Sequence, residues 1–259
     1  MNKQITVNGE TLNCVIEGQG PAIAFLHFLG GFSYQWRHQF AALKDRYTCI
    51  AFDHRGFGYS TSNGRWDVPT GARDLQAGLD ALGIERAHIV GYSMGGPIAL
   101  VFNSQWPQRV RSLVLIDTFA KYRAHSQPRV EETEKCFRYM SMREYARQYC
   151  ATRFLPSTPK AAVDELVSSI CLASKQAYLD VLRGILLPDF TEHCSKVEAP
   201  TLVMCGRHDR TTPVEFSDDL TRLIKGAVER IIPTGHLGVF DDPAAFNAPL
   251  VEFLDVQPR

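Results

Sequence analysis

Gly91-Tyr92-Ser93-Met94-Gly95 fits the pattern G-x-S-x-G, and its flanks show how the chain folds around it. The short apolar run Ala87-His88-Ile89-Val90 precedes it and predicts a buried strand. The apolar segment from Gly96 to Phe102 follows it and predicts a buried helix, with Pro97 in the first turn where a missing N–H costs nothing. A strand, a sharp turn and a helix form a nucleophile elbow, which presents a serine hydroxyl on strained backbone.

The glycines of this motif and the helix after it have separate physical roles. Gly91 and Gly95 lack a Cβ atom, so neighbouring backbone can pass close to Ser93. The start of the following helix points free N–H groups at Ser93, which suits an oxyanion. The alternative interpretation is a glycine-rich turn in which Ser93 has no chemical role.

Composition narrows the class of protein. The chain has 259 residues, enough to bury a core without disulfides. Lys and Arg total 28 and Asp and Glu total 28, so nothing predicts a nucleic acid or a membrane as partner. The seven cysteines have no metal-binding spacing, and the N-terminus has no apolar signal-peptide run. We therefore expect no metal and a reducing, cytoplasmic compartment.

Strand and helix patterns alternate along most of the chain, which predicts an α/β fold with a mostly parallel sheet and helices on both faces. Asn8-Gly9 lies between the first two predicted strands and indicates a hairpin. The predicted strands are 4–7, 12–16, 22–26, 47–52, 87–90, 113–116, 201–205 and 228–232. The predicted helices of this part are 33–43, 72–82, 96–102, 216–223 and 244–254.

Between residues 119 and 190 the strand patterns stop and helix formers dominate. We predict that residues 1–118 and 191–259 form the core and that residues 119–190 form an inserted helical cap. Such a cap would cover the carboxyl ends of the strands, where open α/β sheets bind ligands. Residues 121–190 contain 11 Lys and Arg against 8 Asp and Glu, which leaves room for one arginine to bind a substrate carboxylate without identifying it.

Two polar residues directly follow predicted strands behind the elbow. A nucleophilic serine needs a base, and the base needs an orienting acid. Asp209 and His236 stand in the chain order Ser, acid, His, so the sequence predicts a triad of Ser93, Asp209 and His236. Asp117 also follows a predicted strand and is the rival acid.

An oxyanion hole requires two preorganised N–H donors. We place them at Met94, directly after the serine, and at Leu29, with Phe28 as the alternative. His27 and His54 lie in loops that they could hold by hydrogen bonds. The candidate substrate contacts are Phe28, Tyr92, Tyr139 and Leu237.

These motifs resemble the α/β-hydrolase superfamily over nearly the whole chain. The stretch from Asp53 to Ser60 is similar to the D-x-R-G-x-G-x-S loop of small esterases, enol-lactonases and cofactor-independent haloperoxidases. The stretch from His27 to Gly30 is similar to the Asn-Ser-Leu-Gly loop of 3-oxoadipate enol-lactonases, and Phe28 replaces the glycine typical of the superfamily. The resemblance implies the α/β-hydrolase fold.

The expected function is hydrolysis of a small-molecule carboxylic ester or lactone through an acyl-enzyme, without a metal or organic cofactor. The same triad would also serve hydrolysis of a carbon–carbon bond or perhydrolysis of a carboxylic acid, which are the alternatives. A further alternative is a receptor that binds a small molecule under the cap without turnover. The sequence predicts neither the substrate nor the oligomeric state.

Overall fold

One eight-stranded sheet forms the centre of the structure, a computed structural model that describes residues 1–64, 66–122 and 125–257. Residues 65, 123, 124, 258 and 259 fall within the predicted core and cap ranges and lie outside the described residues. The strands are β1 (Asn2–Val7), β2 (Glu10–Gly18), β3 (Ala22–Leu26), β4 (Thr48–Phe52), β5 (Ala87–Tyr92), β6 (Val110–Ile116), β7 (Thr201–Gly206) and β8 (Val228–Ile232).

The order of the strands is β1-β2-β4-β3-β5-β6-β7-β8. β1 and β2 form the predicted hairpin, and Asn8 and Gly9 adopt the positive φ angles of 50° and 78° that a two-residue turn favours. β2 is also antiparallel to β4, whereas every pairing from β4 to β8 is parallel. The prediction of a mostly parallel sheet is confirmed.

Helices cover both faces of this sheet, as two adjacent residues of β3 show. The Phe25 ring lies 4.9 Å from the ring of Trp36 and 5.4 Å from that of Phe40. Trp36 ends a short 3₁₀ segment, and Phe40 lies in the α-helix that directly follows it. The next residue, Leu26, packs closely on Gly95 in the helix after the elbow. Because successive side chains of a strand point to opposite faces, the two helices lie on opposite sides.

The core helices are α1 (Arg37–Leu43), α2 (Val68–Ala81), α3 (Gly95–Gln105), α9 (Val214–Leu223), α10 (Gly238–Asp241) and α11 (Pro243–Asp255). Short 3₁₀ segments occupy Ser33–Trp36 and Pro107–Arg109. Between β6 and β7 lies the segment that we call the helical insertion. It consists of α4 (Ser126–Tyr139), α5 (Met142–Ala151), α6 (Lys160–Ile170), α7 (Lys175–Leu186) and α8 (Thr191–Cys194).

Helix α2 begins at Val68, four residues before the predicted start at residue 72. The Asp67 carboxylate accepts the Thr70 N–H at 2.7 Å and caps the helix, and Pro69 occupies its first turn. The polar cap and the proline lie outside the apolar repeat on which the prediction depended. Within the described residues, no helix combines the length and the apolar character that crossing a membrane would need.

His88 is a buried titratable group in β5. Its Nδ1 atom lies 2.7 Å from Ser112 Oγ, and burial lowers its pKa to about 4. In the unfolded chain a histidine takes up its proton near pH 6.5, whereas the folded chain resists protonation until about pH 4. The stability contributed by neutral His88 is therefore complete above pH 6.5 and is lost as the pH falls through this window.

The variant His88→Leu should weaken this pH dependence. Between about pH 7 and about pH 4, the free energy of unfolding of the wild type should fall by on the order of 2–3 kcal/mol more than that of the variant. Urea unfolding at a series of pH values measures the difference. His125→Leu, at an exposed position, is the matched control and should keep the wild-type pH dependence. An unchanged pH dependence in His88→Leu would contradict the assignment.

Candidate active site

Ser93 lies on strained backbone between β5 and α3. Its φ of 50° is in the left-handed region, which costs a residue with a Cβ roughly 1–2 kcal/mol. Two hydrogen bonds hold this conformation: the Ser93 N–H donates to the Ile116 carbonyl at 2.8 Å, and the Thr118 hydroxyl donates to the Ser93 carbonyl at 2.6 Å. The end of strand β6 and the loop directly after it therefore fix the turn that carries the serine.

Three glycines allow the backbone to close around this turn. A Cβ on Gly91 would lie 2.5 Å from the Gly95 carbonyl oxygen, and one on Gly95 would lie 2.4 Å from the Leu26 carbonyl oxygen. A Cβ on Gly96 would lie 2.1 Å from the Thr118 hydroxyl. This position therefore also requires glycine, although it lies outside the pattern G-x-S-x-G. The sharp turn is therefore possible only with glycine at these positions.

Ser93, His236 and Asp209 form one continuous hydrogen-bonded line. His236 Nε2 lies 3.1 Å from Ser93 Oγ, and His236 Nδ1 lies 2.7 Å from Asp209 Oδ2. All three residues are buried, and each follows the carboxyl end of a parallel strand, namely β5, β8 and β7. The Tyr92 hydroxyl donates to the His236 carbonyl at 2.6 Å and ties the histidine to the elbow strand.

Hydrogen bonds to the Asp209 carboxylate keep it ionised. Oδ1 accepts the N–H groups of Thr211 at 2.6 Å and Thr212 at 3.0 Å, and Oδ2 accepts the Thr212 hydroxyl at 2.7 Å. Burial opposes the charge, but the neighbouring His236 and the Thr212 donors outweigh it and hold the pKa of Asp209 below its usual range. A charged carboxylate beside Nδ1 favours the tautomer that leaves Nε2 free to accept a proton.

Asp117, the rival acid, has a different environment. Its Oδ1 accepts the Gly206 N–H at 2.7 Å, and its Oδ2 has no hydrogen-bond partner within the described residues. Burial and then the nearby Asp209 charge raise the pKa of Asp117 well above its usual range and so favour its protonated form. Asp209, not Asp117, contacts His236.

Asp117, Cys205 and Asp209 bring their carboxylate and thiol atoms within 4.8 Å of one another, which is a spacing that a metal ion could bridge. Burial raises the pKa of the Cys205 thiol far above its usual range. With Asp117 and Cys205 protonated, Asp209 is the one charged group of the three and is already bound by four donors. The cluster therefore fits a divalent cation poorly.

Two backbone N–H groups next to Ser93 are free to donate. Within the described residues, neither the Leu29 N–H nor the Met94 N–H forms a hydrogen bond. The loop that carries Leu29 is held by His27, whose Nδ1 lies 2.8 Å from the Phe28 carbonyl and whose Nε2 accepts the His54 N–H at 3.0 Å. Burial lowers the pKa of His27 to about 4, so the ring is neutral. Its Nδ1–H can then donate to the Phe28 carbonyl while its Nε2 accepts the His54 N–H.

Residues 21–149 match the sequence profile of the family with the alpha/beta hydrolase fold. The chain belongs to the alpha/beta hydrolase superfamily. It is 27% identical over 261 residues to pyrrolizixenacetamide deacetylase of Xenorhabdus hominickii, covering 98% of each chain. It is 27% identical over 242 residues to 3-oxoadipate enol-lactonase 1 of Acinetobacter baylyi, covering 92% of this chain and 91% of the relative. A solved hydrolase structure from Pseudomonas aeruginosa superposes with a TM-score of 0.91 at 25% identity, covering 98% of both chains.

This alpha/beta hydrolase has a small cavity directly beside the serine. The helical insertion supplies one wall of it, through α4, α5 and α7, so that the insertion covers the elbow. The lining residues are Leu29, Ser93, Phe119, Tyr122, Arg129, Tyr149, Leu182, Ile185, Leu186, Thr211, Thr212 and His236. A wider cavity of about 1220 Å³ adjoins it and shares four lining residues, namely Tyr122, Arg129, Tyr149 and Thr211.

None of the four predicted substrate contacts lines either of these two cavities in the described part of the hydrolase, and their contact with substrate stays a prediction. Phe28, Tyr92 and Leu237 are buried behind the site, where the Phe28 and Tyr92 rings pack edge to face at 5.1 Å. Tyr139 is 81% exposed at the end of α4. Arg129 and Tyr122 line the cavity and were missed, because no sequence signal separates them from the other basic and aromatic residues of the insertion.

The variant Gly95→Ala tests the packing of the elbow. Its methyl group would have to displace the Leu26 carbonyl, so the free energy of unfolding should fall by roughly 1–3 kcal/mol. The matched control is Gly64→Ala, where a Cβ meets nothing within 4 Å and the change should stay within about 0.5 kcal/mol. Urea unfolding compares the two variants. Equal stabilities would show that the close approach of β3 to α3 is absent.

Proposed function

We propose that this hydrolase cleaves a carboxylic ester or lactone through a catalytic triad of Ser93, His236 and Asp209. The observation that carries the proposal is the continuous hydrogen-bonded line from Ser93 Oγ through His236 to Asp209, at the wall of a cavity. Relatives named as an enol-lactonase and a deacetylase, which act on lactone and acyl bonds, support the same class of chemistry.

In the first step, Ser93 Oγ attacks the substrate carbonyl carbon while His236 Nε2 takes the hydroxyl proton. The Asp209 carboxylate stabilises the resulting imidazolium through Nδ1, at the observed 2.7 Å contact. The carbonyl oxygen becomes an oxyanion, and the N–H groups of Leu29 and Met94 are its proposed donors. The imidazolium then returns its proton to the leaving alkoxide, which departs as an alcohol and leaves an acyl-Ser93 ester.

In the second step, His236 takes a proton from water, and the hydroxide attacks the acyl-enzyme carbonyl. Collapse of this second oxyanion expels Ser93, which regains its proton from His236, and releases the carboxylic acid. A lactone follows the same course, and its alcohol and acid remain parts of one molecule. None of these steps requires a metal or an organic cofactor.

The helical insertion is the proposed cap of this site and the part that selects the substrate. Its α4, α5 and α7 contribute side chains to the cavity wall that faces Ser93. The triad also serves carbon–carbon bond hydrolysis and perhydrolysis, which stay alternatives. A screen distinguishes the three reactions. Short esters and lactones test ester hydrolysis, a β-diketone tests carbon–carbon bond hydrolysis, and a carboxylic acid with hydrogen peroxide tests perhydrolysis. The cytoplasmic location stays a prediction from sequence.

Loss of the nucleophile or the base should abolish ester turnover. Ser93→Ala and His236→Ala should each lower kcat by a factor on the order of 10⁴–10⁶, because triad members act as a unit. Hydrolysis of p-nitrophenyl esters measures the rate, and a fluorophosphonate should label the wild type but not Ser93→Ala. Ser62→Ala, which changes an exposed serine, is the control. If His236→Ala kept more than about a tenth of the activity, the assigned base would be wrong.

The two aspartates near the triad should respond differently to the same change. Asp209→Asn should lower kcat by roughly 10³–10⁴, because its amide favours the wrong His236 tautomer. Asp117→Asn should change kcat by less than about tenfold, because Asp117 does not contact His236 and the amide oxygen can still accept the Gly206 N–H. The measurement is kcat for both variants, with circular dichroism as the check on folding. An active Asp209→Asn beside an inactive Asp117→Asn would move the acid to Asp117.

A further inference from the structure

Arg129 extends from helix α4 into the wall of the small cavity that also contains Ser93 and His236. Its guanidinium lies 5.2 Å from the centre of the Tyr122 ring and donates a hydrogen bond to the Tyr122 hydroxyl. These contacts place a cation on the side of the cavity that the helical insertion supplies. Neither contact removes the charge, because an aromatic ring and a neutral hydroxyl carry no opposite charge.

The charge of Arg129 has no carboxylate partner. Among the described residues, no Asp or Glu oxygen lies within 4.0 Å of its guanidinium, whereas Arg183 of the same insertion pairs with Glu134 at 2.6 Å. Tyr149, which lines the same cavity, does not compensate, because burial raises the pKa of Tyr149 to about 12 and keeps it neutral. A largely buried cation without a counter-charge is costly, and a bound anion would offset that cost.

The wider cavity next to it has the same electrostatic bias. Its lining contains Arg129, Arg153 and Arg210 but a single acidic residue, Glu132. The positive charges line the space that adjoins the small cavity, so an anionic molecule would be attracted towards Ser93. This bias is independent of the contacts of Arg129, and it is local, because the whole chain has no net charge.

We propose that Arg129 binds a carboxylate on the acyl part of the substrate, so that the preferred substrates are esters or lactones of dicarboxylic acids. This inference rests on the proposed function, because it takes Ser93 as the point of attack. The fork of the guanidinium matches the two oxygens of a carboxylate. The anion fixes the acyl chain between α4 and the elbow, and the scissile carbonyl then lies at Ser93.

The test compares two methyl esters with acyl chains of equal length. The chain of monomethyl adipate ends in a carboxylate, and that of methyl hexanoate ends in a methyl group. Titration at constant pH follows the released acid. Arg129→Met should lower kcat/KM for monomethyl adipate about 10- to 100-fold, mainly through KM, and change it for methyl hexanoate by less than about threefold. Arg129→Lys should retain part of the preference. Arg138→Met is the matched control, because it removes an exposed charge from the same helix. Equal losses for both esters, or no loss for either, would overturn the proposal.

Binding of adipate gives a second measurement that requires no turnover, and its comparison with a neutral analogue needs only the wild type. Isothermal titration should detect adipate but not its neutral diamide, adipamide, and Arg129→Met should lose the adipate signal. Equal binding of the two compounds, or binding of neither, would overturn the role of Arg129. If Ser93-dependent turnover of methyl hexanoate persists in that case, the proposed function stands and this inference alone fails. If no ester is hydrolysed but adipate binds through Arg129, the proposed function fails instead.

Discussion

The close approach of backbone around Ser93 is the constraint on which the site depends. The serine holds a φ of 50° because Ile116 of β6 binds its N–H and Thr118, two residues after that strand, binds its carbonyl. Gly91, Gly95 and Gly96 leave room for the neighbouring chain. A parallel sheet brings the carboxyl ends of its strands to one edge. The backbone conformation at Ser93 therefore fixes where its hydroxyl lies relative to the loops of Asp209 and His236 at that edge.

Hydrogen-bond donors distinguish the charge states of the two buried aspartates at this edge of the sheet. Asp209 and Asp117 are both buried aspartates at the ends of neighbouring strands, but only Asp209 has donors from Thr212 and His236. Burial of Asp117 and the like charge of that carboxylate both raise the pKa of Asp117 and favour its protonated form. The same residue type thus has two states, and the number of hydrogen-bond donors, which a sequence does not show, makes the difference.

The core could be predicted from sequence because its signals are local. β3 and β8 begin and end at the predicted residues 22–26 and 228–232. β3 is a short apolar run and is buried throughout, whereas β8 is an edge strand in which apolar and polar residues are mixed. Asp209 and His236 could be found for a related reason, as each directly follows such a strand. The cavity-lining residues of the insertion could not be predicted in this way. The packing of one helix on another decides that Tyr149 faces the cavity and Tyr139 faces solvent. Residue type and spacing do not distinguish these two tyrosines.

The core and the insertion hold their side chains at the site in different ways. The proposed nucleophile, base and acid belong to strand ends whose positions the elbow fixes, so a change at any of them disturbs the sheet edge as well as the chemistry. Arg129 belongs to helix α4 of the insertion, and among the described residues its charge has no carboxylate partner. A residue placed in this way can be exchanged at little cost to the core, because the strained turn does not depend on it. In this arrangement the proposed selection of substrate can change while the arrangement of Ser93, His236 and Asp209 stays the same.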